Sequence, residues 1–76
     1  MKIIIYSSPL WPWCTRVKSY LDSKNISYTD YNVSKDRDKA LEMVKKSGQQ
    51  GVPVLDINGT IVVGFDQKKI DSLLEL

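Results

Sequence analysis

Val54-Leu55-Asp56-Ile57-Asn58-Gly59-Thr60-Ile61-Val62-Val63 reads as two short apolar strands around a two-residue turn. Asn-Gly supplies the two positive φ angles of a type I′ turn, so the strands are antiparallel neighbours. Gly64-Phe65 breaks the second strand, Asp66 can cap a helix, and Ile70, Leu73 and Leu74 give that helix an apolar stripe. Upstream, Gln49-Gln50-Gly51 is a loop leading to Val52-Pro53.

Further back, Gly48 ends a helix whose N-cap is Ser34 or Asp36. Ala40, Leu41 and Val44 are its expected buried stripe, and Lys45 and Lys46 complement its negative end. Ile26 to Val33 alternates with period two and reads as a strand, entered through Asn25 as a left-handed cap. From Trp13 to Lys24 the apolar positions Cys14, Val17, Tyr20 and Leu21 recur at helical spacing, with Arg16, Lys18, Asp22 and Lys24 opposite. Lys2 to Tyr6 is β-branched and aromatic without polar alternation, as suits a central strand covered on both faces. The order is β-α-β-α-β-β-α over a single domain, residues 1–76. A right-handed βαβ unit extended by the hairpin makes a four-stranded mixed sheet with helices on both faces. This α/β arrangement resembles the minimal thioredoxin fold.

Composition narrows the function. The net charge of +2 comes from eleven Lys and Arg interspersed with nine Asp and Glu, too weak and too scattered to argue for nucleic acid. With one cysteine and no histidine, neither an internal disulfide nor a Cys/His zinc site can be built, so no metal is expected. No apolar run is long enough to span a membrane and no secretory h-region is visible, so a cytoplasmic location is expected.

The single thiol lies in Pro9-Leu10-Trp11-Pro12-Trp13-Cys14, between the first strand and the first helix. Pro9 and Pro12 bar helix before Trp13. Free N–H groups and the helix dipole at such a place stabilise a thiolate, lowering its pKa below the ~8.5 of a free cysteine. On an apolar helix face the same residue packs as a small hydrophobe, and both readings stay open for Cys14.

Tyr6 to Cys14 is similar to the active-site segment of glutaredoxins, in which a first strand ending in Tyr leads to C-P-[YW]-C. Ser47-Gly48-Gln49-Gln50-Gly51-Val52-Pro53 resembles the family's S-G-x-x-T-V-P, whose proline follows a cis bond. Gly64-Phe65-Asp66 resembles its third, Gly-rich segment. The resemblance covers essentially the whole chain. It implies that Pro12, Trp13, Val52, Pro53, Gly64, Phe65 and Asp66 bind substrate. The Val52 backbone would pair with the cysteinyl part of glutathione or of a disulfide, and the Gly64–Asp66 turn would hold a γ-glutamyl group. Asp66 as a plain N-cap is the competing reading, and the two roles are compatible in one residue. Glutathione is the implied co-substrate, with no bound cofactor, and glutathione or disulfide-containing proteins are the implied partners.

Two departures matter. Trp11 stands at the family's nucleophile position, and Cys14 matches the second, resolving cysteine. An indole is neither nucleophile nor leaving group in thiol–disulfide exchange, so the chain as written is expected to be inactive or impaired. The tryptophan codon is one base from both cysteine codons and from UGA, which encodes selenocysteine in some oxidoreductases. Trp11 is therefore read as replacing a redox-active Cys or selenocysteine, and the rival is a non-catalytic binding module of the same fold. An iron–sulfur carrier fits poorly, because the ligating first cysteine is missing. Ser8 occupies a position where many members have a glutathione-binding lysine; Arg16, Lys35 and Arg37 are candidate substitutes. Glutathione and thioredoxin reductase both stay open as electron donors. A monomer is expected, with Leu10, Trp11 and Trp13 as an exposed apolar patch for weak self-association.

Overall fold

The computed structural model describes residues 2–75. The elements are β1 (Ile3–Ser7), α1 (Pro12–Ser23), β2 (Thr29–Asn32), α2 (Arg37–Ser47), β3 (Val54–Ile57), β4 (Thr60–Val63) and α3 (Gln67–Leu74). The four strands form one sheet in the order β2-β1-β3-β4. β1 runs parallel to β2, with Ile5 opposite Asp30, and antiparallel to β3, with Ile5 opposite Leu55. The order and the mixed sheet are those expected of a thioredoxin fold. Asn58 and Gly59 have φ of 52° and 98°, the left-handed pair that the hairpin requires.

Alternation along β1 divides the core. Ile3 and Ile5 join Val17, Leu21, Leu55, Ile57, Val62 and Ile70 on the face covered by α1 and α3. Ile4 and Tyr6 join Met43 and Val54 on the face covered by α2. All five residues of β1 are buried, as the unbroken apolar run implies for a strand covered twice.

Three local expectations need correction. β2 is shorter than Ile26–Val33, because the Ile26 N–H is used to close α1, donating to Leu21 O at 3.0 Å after Asn25 turns left-handed at φ 57°. Ile26 and Tyr28 still pack against the core, from outside the strand. α1 starts at Pro12 rather than Trp13, since a proline at the first helical position lacks only an N–H that would have no partner. In α2 the expected Val44 packs, half-buried, against the core, but the fully buried apolar residue is Met43, 2% exposed, whereas Leu41 is 54% exposed. The helix is rotated so that Glu42 and Lys46 reach the hydroxyl of Tyr6 on the sheet below, which carries Leu41 into solvent. Asp36, not Ser34, is the N-cap, accepting from Lys39 N.

Candidate active site

Beyond β1 the chain turns at Ser8–Leu10, and Trp11 N–H donates to Ser8 O at 3.3 Å. Trp11 is the N-cap of α1, in extended conformation and with no side-chain capping bond. The Cys14 N–H donates to Trp11 O at 3.1 Å, closing the first turn. Helical spacing puts Cys14 in line with Val17 and Leu21, and all three are fully buried. Trp11 and Trp13 point outward and are 57% and 54% exposed, with Leu10 at 81%, so the apolar patch is present on the surface. Burial puts the Cys14 thiol out of solvent's reach, the packing reading of that residue. Iodoacetamide should therefore label native Cys14 at least ~10-fold more slowly than the urea-unfolded chain. Equal rates would show that the first turn of α1 is open in solution.

Beside this turn lies a mainly apolar cleft of about 250 Å³ lined by Trp13, Val52, Pro53, Gly64 and Phe65. Three segments distant in sequence therefore meet here. The Val52-Pro53 bond is cis. The Gly64 N–H donates to Pro53 O at 2.8 Å, tying the two loops together, and Gly64 has φ 79°, a conformation that favours glycine. Among the described residues, the N–H and C=O of Val52 have no hydrogen-bond partner, so they remain available to an incoming strand-like ligand. Side chains on α1 hold the walls: the Arg16 guanidinium lies 4.7 Å from the Trp13 ring centroid, and the Tyr20 ring packs 5.6 Å from that of Phe65. Tyr20 also donates a hydrogen bond to Asp71, joining α1 to α3.

Pro12 is the first residue of α1 and is exposed, beside the cleft but not in its lining. Asp66 caps α3, accepting from Lys69 N at 3.2 Å, and it too lies outside the cleft lining. The N-cap role of Asp66 is thus present. Lys35 and Arg37 line a different depression, with Asp30 and Tyr31, that shares no residue with the cleft. Arg16 is the one of the three substitute cations set against a cleft residue. Ser8 is buried, and its hydroxyl accepts from Leu10 N at 3.4 Å, helping to shape the turn before Trp11.

Two polar clusters behind the site escaped sequence reasoning. The buried Ser7 hydroxyl donates to Asp30 at 2.6 Å and accepts from Lys18 Nζ at 3.2 Å, while Lys18 and Asp30 pair at 2.8 Å. On the α2 face, the Tyr6 hydroxyl donates to Glu42. Lys46 Nζ donates to that hydroxyl and to Asp56, at 2.8 Å each. Lys46 does more than complement its helix end. Its partners lie 40 and 10 residues away, and only the strand pairing of Ile4 with Asp56 brings them under one ammonium group.

The hydrogen bond to Asp56, then that to Tyr6, holds the Lys46 ammonium well above the usual lysine range. Lys46 in turn lowers the Asp56 carboxyl below its ordinary value, and burial, then the Glu42 bond, raises the Tyr6 phenol. Because folding lowers the pKa of Asp56, its contribution to stability is complete above the ordinary aspartate value of ~3.9 and is lost as pH falls through the depressed folded value. Asp56→Asn should therefore flatten the loss of stability in urea titrations taken from pH 4 down toward pH 2. An unchanged acid limb would show that Lys46 does not hold the carboxylate in solution.

The four-stranded mixed sheet, the N-cap of α1 at Trp11 and the cis Val52-Pro53 loop beside it define a protein of the thioredoxin-fold class. The sequence model of the glutaredoxin family matches residues 3–62. The chain is 51% identical over 73 residues to a glutaredoxin-like 8.6 kDa protein in the rubredoxin operon of Clostridium pasteurianum, covering 96% of this chain and 97% of that one. It is 34% identical over 62 residues to glutaredoxin 3 of Escherichia coli (strain K12), covering 82% and 75% of the two chains. Among solved structures, the thioredoxin-like protein BC3987 superposes with a TM-score of 0.89 at 30% identity, over 95% of this chain and 99% of that one. The chain belongs to the glutaredoxin family, a family of thiol–disulfide oxidoreductases.

Proposed function

We propose that this chain is a glutaredoxin-type electron carrier for disulfides or glutathione mixed disulfides, inactive or impaired as written because Trp11 fills the nucleophile position. The observation that carries this reading is the position of Trp11, exposed at the N-cap of α1 with Cys14 sealed three residues beyond it. A thiolate or selenolate at position 11 would attack one sulfur of a disulfide, and the electron pair of the broken S–S bond would leave on the other sulfur as a thiolate. Attack by Cys14 or by a second glutathione on the resulting mixed bond then frees the bound half. The substrate gains two electrons, and the enzyme pair or glutathione is left as the disulfide. The indole supplies no such electron pair.

In this reading the free N–H and C=O of Val52 receive the cysteinyl backbone of glutathione. The Gly64–Asp66 turn at the start of α3 receives its γ-glutamyl carboxylate. Trp11 replaces a cysteine or a selenocysteine. The chain acts as a monomer in the cytoplasm, where a lone thiol stays reduced. A non-catalytic binding module is the second reading, favoured by the intact, solvent-open cleft.

Two experiments separate these readings. A UGA codon at position 11, followed by a selenocysteine insertion element, supports the catalytic reading; UGG together with an inactive native protein supports the binding module. Assay of Trp11→Cys against a glutathione mixed disulfide tests the same point in the protein.

A further inference from the structure

The segment that delivers Val52 to the cleft is Ser47-Gly48-Gln49-Gln50-Gly51, and within it one side chain substitutes for secondary structure. The Gln49 amide oxygen accepts from the Gly51 N–H at 2.6 Å, while its amide nitrogen donates to the Gly51 C=O at 3.0 Å. Both backbone groups of the residue before Val52 are thus held by one planar amide. A primary amide carries donor and acceptor side by side, as a neighbouring strand would. The other end of the clamp is fixed too. The single Ser47 hydroxyl proton faces Met43 O at 2.8 Å and Gln49 O at 3.0 Å, and the same oxygen accepts from Gln49 Nε2 at 3.3 Å, anchoring the loop to the last turn of α2.

Gly51 is the second half of the device. A Cβ built at Gly51 would stand 2.7 Å from the Gln49 amide oxygen, closer than non-bonded atoms approach. Its backbone is not in a conformation reserved for glycine, so the clamp itself is the constraint on this position. Gln49 and Gly51 therefore depend on each other.

We propose that Gln49 is a positioning residue for the substrate-binding face: by clamping Gly51 it fixes the peptide plane leading into Val52 and aims the unpaired Val52 N–H and C=O into the cleft. This rests on the glutathione-binding reading only for its consequence on affinity, since the clamp is a property of the free protein.

The test follows Gly51 amide exchange and the Val52 amide resonance by NMR in the unliganded chain. Removing a neutral hydrogen bond is worth about 1 kcal/mol, or roughly five-fold in an equilibrium. In Gln49→Ala, Gly51 exchange should quicken roughly five-fold and the Val52 resonance should shift. Gln49→Glu keeps the acceptor and loses the donor, so it should retain slow exchange at Gly51. Gly51→Ala should displace the Gln49 amide, and adding Gln49→Ala to it should change the Val52 resonance no further. Unchanged Gly51 exchange in Gln49→Ala, or additive effects in the double variant, would overturn the clamp.

Glutathione titrated against tryptophan fluorescence, from Trp11 and Trp13 together, then reads the consequence. Gln49→Ala should weaken binding roughly five-fold if the native chain binds. Equal affinity in the two proteins would overturn the positioning role. A native chain that binds no glutathione would instead sink the glutathione-binding reading, leaving exchange and the Val52 resonance to decide the clamp.

Discussion

Trp11→Cys should convert this chain from one with no measurable exchange above the uncatalysed rate into a working dithiol oxidoreductase. The gain expected against a glutathione mixed disulfide or hydroxyethyl disulfide is at least ~100-fold, equivalent to about 2.7 kcal/mol off the barrier. The reason lies in what is already assembled. Position 11 sits at the N-terminus of α1, where the positive end of the helix dipole favours a thiolate. The cleft at Val52, Pro53, Gly64 and Phe65 lies alongside, and Cys14 follows one helical turn later. A stopped or coupled glutathione-reductase assay checks this. Trp11→Ser, which opens the same space without a sulfur, should remain inactive. An inactive Trp11→Cys protein with native circular dichroism would sink the catalytic reading and leave the binding module.

Met43→Ala should cost about 2–5 kcal/mol of stability, while Leu41→Ala should change it by no more than about 0.5 kcal/mol. A chain of this size has in total on the order of 4–11 kcal/mol at the usual 0.05–0.15 kcal/mol per residue. The first substitution therefore removes a large share of the margin. Met43 is 2% exposed and packs with Ile4, Tyr6 and Val54, so truncation leaves a cavity in the smaller half of the core. Leu41, two residues earlier on the same helix, is 54% exposed and has little contact to lose. Urea midpoints at neutral pH with an unchanged slope would measure both. Equal losses at the two positions would mean that α2 sits in a different rotation on the sheet.

The comparison of Met43 with Leu41 also shows where sequence reading stops. Apolar spacing finds a helix well, because one face must be buried, but in α2 both residues are compatible with a stripe. The choice was made by Tyr6, whose buried hydroxyl needs partners and finds them in Glu42 and Lys46. Sequence period overextends β2 for a similar reason. Period-two alternation continues through Ile26, but that residue's N–H is already spent on the end of α1.

The site divides along the same line. Local sequence was enough for the hairpin, the buried central strand and the marked position of Trp11, because turn chemistry and side-chain period act over a few residues. Three short segments each carried a weak signal, and their common spacing identified the family. Whether those segments meet is a tertiary matter: sheet order sets Val52 and Gly64 beside Trp13 and drives Cys14 into the core. The Lys46–Asp56–Tyr6 cluster and the Gln49 clamp on Gly51 have no local sequence signature, because a hydrogen bond needs a partner within about 3 Å and chain order does not specify that distance. The sequence determined which protein this is built to resemble and which residue interrupts its chemistry; the packed structure decided which groups are buried, which are held, and which are left free to bind.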